Sequence, residues 1–103
     1  KPTKDKALEY VERVWDKADS LSVTPSAILI DGRFRVACGC ESLLRCGVGT
    51  LIMLDDAFRE SYTPFRTLVP NYQTYGRLLS FSKEVVVDTA VRECKQKNIL
   101  SKN

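Results

Sequence analysis

Two short apolar runs, Ala27-Ile-Leu-Ile30 and Thr50-Leu-Ile-Met-Leu54, each stop at an aspartate: Asp31 after the first, Asp55-Asp56 after the second. Unbroken apolar runs of this length between turn-forming residues predict strands buried on both faces, as in a parallel sheet. Between them, Arg33 to Cys46 carries Val36, Ala37, Cys40, Leu43 and Leu44 at helical spacing. Ala37, Cys38 and Gly39 are small enough for that helix to approach a sheet closely. Cys46-Gly47 reads as its end, with glycine taking the left-handed cap. Upstream, residues 4–19 place Ala7, Leu8, Val11, Val14, Trp15 and Ala18 on one face of an amphipathic helix, with the Trp15 face expected against a sheet. Ser20 to Ser26 is a loop, in which Pro25 marks the approach to the first strand.

Beyond Asp56 the periodicity weakens. Residues 57–63 are polar and read as a loop or a short helix. Pro64 to Val69 reads as a helix crossing back, ended by Pro70-Asn71. Tyr75 to Phe81 alternates and predicts one outer strand. Ser82 to Val87 fits a strand or a loop. Asp88 to Leu100 predicts a terminal helix with Asp88 as N-cap and Ala90, Val91 and Cys94 inside. The alternation of helices and strands implies an α/β layer fold with right-handed crossovers. Strands buried on both faces need neighbours and two helical layers, and these elements supply few. The expectation is therefore a single partial domain over residues 1–103, half of a larger sheet or one that associates through its exposed edge.

A length of 103 residues is one domain at most. With 44% hydrophobic and 28% charged residues the composition is that of a globular chain. The net charge is only +3, and the basic residues are interleaved with acids, so no nucleic-acid surface is expected. No apolar run approaches the roughly 18 residues of a membrane span. Four cysteines and no histidine do not make zinc-ligand pairs. They read as small buried thiols in a reducing compartment, the cytoplasm.

An acid at the carboxyl end of a strand lies on the rim where open α/β sheets bind ligands. Asp31, Asp55 and Asp56 are thus expected near one another. Asp31 also fits a turn residue that caps the following helix, and Asp55-Asp56 a cap and a solvated loop acid. Arg33 or Arg35 fits an ion pair with these acids, or a grip on a carboxylate or phosphate of a small-molecule substrate. Phe34, Phe58 and Tyr62 fit either an apolar substrate wall or core packing. Without a histidine to activate it, Cys38 is no convincing nucleophile.

The stretch Ile28-Leu-Ile-Asp-Gly-Arg-Phe-Arg-Val-Ala-Cys38, with Asp55-Asp-Ala-Phe58 and Gly76-Arg-Leu-Leu-Ser-Phe81, resembles a branch of the class I S-adenosylmethionine-dependent methyltransferase-like proteins. The resemblance spans about residues 25–95. It implies a three-layer Rossmann-like methyltransferase fold of which this chain is the C-terminal half, holding the fourth and fifth strands. The cofactor, S-adenosylmethionine, binds mostly to the other half, and no glycine-rich loop after a strand is found here. By similarity to catechol-type O-methyltransferases, Asp31, Asp55 and Asp56 would hold a divalent ion such as Mg²⁺, with Asp31 as the catalytic acid and Arg33, Phe34 and Phe58 against the substrate. Phe34 stands where those enzymes carry a lysine base. Two other readings remain: a non-catalytic α/β binding or scaffold domain, and an unrelated flavodoxin-like domain.

Overall fold

The computed structural model describes residues 3–69, 71–86 and 88–99. Helix α1 (Lys4–Ser20) starts at Thr3, whose hydroxyl accepts from the Lys6 amide at 3.2 Å. It is followed by strand β1 (Ala27–Ile30), helix α2 (Arg35–Arg45) and strand β2 (Leu51–Leu54). A 3₁₀ turn at Glu60–Tyr62 leads into the short helix α3 (Thr63–Leu68). Strands β3 (Gln73–Tyr75) and β4 (Leu78–Ser82) and helix α4 (Asp88–Asn98) complete the chain. The sheet order is β1-β2-β4-β3. β1 and β2 are parallel, and β4 runs antiparallel to both of its neighbours. Among the described residues this is a mixed α/β fold, a four-stranded sheet with four helices.

Register decides which side chains share a face. Ile28, Ile52 and Phe81 align across the sheet, as do Ile30, Leu54 and Leu79. These six point into one core with Val36, Cys40 and Leu43 of α2, Phe65 of α3 and Val91 of α4. The alternate residues point the other way, where Leu29 is 60% and Leu51 37% exposed and Met53 and Leu78 are half-buried. The expectation of strands buried on both faces is thus corrected. The core lies on one face, and no helix of the described residues packs on the other to give a third layer. An apolar run is ambiguous in this respect, because its outward residues look the same whether covered or bare.

Four local expectations also change. The single outer strand over Tyr75–Phe81 is a hairpin, because Gly76, at φ +62°, folds β3 back onto β4. Left-handed glycine follows α2 at Gly49, φ +93°, and not at Gly47. Helix α1 rests on α2 more than on the sheet: Ala7 and Val11 pack with Phe34, Ala37 and Ile99, and only Trp15 reaches the main core. Gly39 does allow a close approach, but by Phe65, whose ring would lie 2.5 Å from an added Cβ. The expected strand or loop at 82–87 is irregular over 83–86 after β4 ends at Ser82. Pro70, Val87 and Leu100 lie outside the described residues.

Candidate functional site

The carboxyl ends of β1 and β2 meet at one rim, and Arg35 clips them together. Its Nε donates to the carbonyl of Gly32 at 2.9 Å and its Nη1 to the carbonyl of Asp55 at 2.8 Å. Its Nη2 lies 3.4 Å from the Asp31 carboxylate. Of the two arginines considered for an ion pair, Arg35 is the one that makes it. Arg33 instead stacks over the Phe34 ring at 5.3 Å, and its amide donates to the Tyr10 hydroxyl at 3.1 Å.

The other two acids have arginines of their own. Asp55 faces Arg77 at 3.5 Å. The β3–β4 turn brings Arg77 there, as the Ala57 amide donates to the Arg77 carbonyl at 3.0 Å. Asp56, in a left-handed conformation at φ +53°, accepts from Arg59 Nε at 2.6 Å. The three carboxylates share the rim, but each turns to a different guanidinium. Among the described residues no group of three His, Cys, Asp or Glu side chains converges as a metal site. As placed, Asp31, Asp55 and Asp56 do not fit a shared Mg²⁺ ion.

The aromatic residues separate. Phe34 is 4% exposed and packs edge-on against Tyr10, with ring centroids 5.6 Å apart. Its left-handed backbone, φ +54°, turns the chain from the rim into α2 and tucks the ring under α1. Tyr62 is likewise buried. Both belong to the core, so neither offers a wall to a substrate, contrary to the expectation for Phe34. Phe58 is 43% exposed and lies beside Arg66 and Tyr72. Asp31, Arg33, Phe58, Arg59 and Arg77 are the exposed residues among these.

Glycines do not form a phosphate or cofactor cradle. Gly32, which follows β1 directly, has its vacant side filled by the Tyr10 hydroxyl, 2.5 Å from where a Cβ would stand. No backbone cradle therefore opens directly after β1. Cys38, half-buried beside the rim, has its thiol pushed up to about 11 by burial, with the negative charge of Glu41 adding to the effect. It is therefore protonated and inert near neutrality.

Two features escape a reading by residue type. One is a buried charge network behind the rim. Glu41, its side chain 4% exposed, accepts from Arg45 at 2.9 Å and faces Lys95 at 2.8 Å. Lys95 also reaches Glu12, and Arg45 also reaches Asp16 and Asp19, so α1, α2 and α4 are tied together. Only the Glu41–Arg45 spacing was visible beforehand. The other is a groove of about 1060 Å³ between α1 and β1, walled by Tyr10, Val14, Trp15, Val23, Ile28 and Leu29. Val14, expected on the packed face of α1, is instead 66% exposed and lines this groove. No described helix is long and apolar enough to cross a membrane. Compared with known proteins, the chain matches no family model, no curated protein and no solved structure.

Proposed function

We propose that this chain supplies the acceptor-side rim of a Rossmann-like, methyltransferase-type α/β domain, and that S-adenosylmethionine is held by elements outside it. The observation that carries this reading is the pairing of β1 with β2. They are adjacent and parallel, are joined through α2, and each ends in an acid at the same rim. Those are the places the resemblance gives to a fourth and fifth strand. The bare outer face of the sheet, with Leu29 and Leu51 exposed, is consistent with a missing layer. Asp31 would orient a small-molecule acceptor, and Arg33 and Phe58 would flank it. Methyl transfer asks mainly for such positioning. The test is calorimetric titration of S-adenosylmethionine into this chain and into the full gene product. Binding by the full product alone is the expected result. Binding by neither removes the methyltransferase reading.

A second reading, a non-catalytic binding domain, is favoured by a different observation: each rim acid is already neutralised by an arginine. Cofactor binding by the full product without turnover of any hydroxyl acceptor would select it.

A further inference from the structure

The outer side of β1 presents unused backbone. β1 is an edge strand. The Leu51 amide donates to the Ser26 carbonyl at 3.0 Å, and the Asp55 amide to the Ile30 carbonyl at 3.1 Å. In an extended strand the N–H and C=O of one residue point the same way, and the next residue's point oppositely. Residues 26, 28 and 30 therefore face β2, while Ala27 and Leu29 turn both groups outward. Among the described residues no hydrogen bond reaches them.

The groove begins at that edge. Helix α1 stands off from β1 and leaves an apolar trough between Val14 and Leu29, 66% and 60% exposed. Cations also line it: Lys6, Arg13, Lys17 and Arg33, against Glu9 and Asp31. Glu9 pairs with Arg13, and Asp31 with Arg35. Lys6, Lys17 and Arg33 make no ion pair among the described residues.

We propose that the outer edge of β1, with the groove beside it, is a strand-acceptor site for an extended polypeptide segment that is apolar at alternate positions and acidic at its ends. Unpaired backbone at a sheet edge selects a peptide over a lipid or a small apolar molecule, because only a second backbone satisfies alternating donors and acceptors. The apolar trough receives every other side chain of the added strand. The unpaired cations select an acidic segment, and they disfavour a second copy of this chain, whose own Lys6, Lys17 and Arg33 would be brought against them. This reading is an alternative to that of β1 as the fourth strand of a larger sheet, in which a neighbouring strand would already pair with this edge.

Trp15, the only tryptophan, lines the groove and reports on it. The probe is a short synthetic peptide alternating valine and threonine between pairs of aspartate, titrated into the whole chain at low salt while tryptophan fluorescence is followed. Saturable binding is expected, with slowed amide exchange at Ala27 and Leu29. A peptide N-methylated at alternate amides should bind at least about tenfold more weakly. Lys6→Gln/Lys17→Gln, on the exposed surface of α1, should weaken the acidic peptide at least about threefold, an effect that disappears in high salt. Equal binding of the N-methylated peptide would overturn strand addition. An unchanged affinity in the double variant would overturn the acidic preference. A dimer by sedimentation, with Ala27 and Leu29 protected in the absence of peptide, would make a second copy the occupant and overturn the proposal.

Discussion

Glu41→Ala should destabilise the chain far more than loss of either exposed acid of the same network. The Glu41 side chain is 4% exposed and serves two cations, Arg45 at 2.9 Å and Lys95 at 2.8 Å. Removing one partner from a buried ion pair costs about 3–5 kcal/mol, because a charge is left without compensation. Here the cost falls lower, since Arg45 keeps Asp16 and Asp19, and Lys95 keeps Glu12. About 2–3 kcal/mol remains, comparable to two charge-assisted hydrogen bonds lost from a site with little access to water. In a domain of this length that corresponds to roughly 10–20 °C in Tm. Asp16→Ala and Asp19→Ala remove side chains that are 67% and 71% exposed. Each should cost under about 1 kcal/mol. Urea denaturation compares the three variants: the midpoint should fall with an unchanged slope. A Glu41→Ala midpoint within experimental error of Asp16→Ala would refute the view that α1, α2 and α4 are held by a buried anion.

Burial pulls the Lys95 pKa down, but hydrogen bonds and charge from Glu12 and Glu41 outweigh it and hold the value above the ordinary lysine range. A raised folded-state pKa stabilises fully below the unfolded value of about 10.4 and is lost as pH rises through the folded one. The urea midpoint should therefore drop more steeply above about pH 10 in the parent than in Lys95→Met, and equal slopes would count against it. Gly39→Ala places a methyl group against the buried Phe65 ring. It should cost about 1–3 kcal/mol of repacking against a helix-propensity gain of up to about 1 kcal/mol, and a stabilised variant would show that the ring yields freely. Cys38, with its thiol near 11, should react with iodoacetamide at pH 8 far more slowly than a free thiol, as read by peptide mass spectrometry. In the full gene product, Asp31→Ala should lower activity much more than stability, and equal activity per folded molecule would take Asp31 out of the site.

The elements most legible in the sequence were those whose neighbours are local. Ala27–Ile30, the helix after it and Thr50–Leu54 announce themselves by apolar runs and by helical spacing, and all three elements form, with the helix starting at Arg35 in place of Arg33 and the second strand at Leu51 in place of Thr50. Strand β3 was missed because all three of its residues are exposed. It carries no hydrophobic period, and Gly76 sat inside an alternation that continued past it. Nothing in the sequence around Glu41 marks it as buried, and its burial goes with Lys95, which no local pattern connects to it. Phe34 followed the rim motif in sequence but was drawn inward by Tyr10 and Ile99. At the rim itself the acids were legible as a group. Of their arginines, Arg35 was among the expected partners; Arg59 and Arg77 were not, since Arg77 arrives on a hairpin whose turn was unrecognised.

Lys95 ties the first helix to the last across most of the length of the chain. Its ammonium joins Glu12, 83 residues earlier, to Glu41. Closing so long a loop is entropically expensive and is repaid only after the intervening elements have collapsed. The β3–β4 hairpin and the β1-α2-β2 unit involve much shorter closures and can form without it. The junction of the first and last helices is thus expected to form late and to contribute little to the folding transition state. Weakening it should leave the rate of folding almost unchanged and accelerate unfolding. The ion pairs of Lys95 would then act chiefly on how long a folded molecule lasts before it opens.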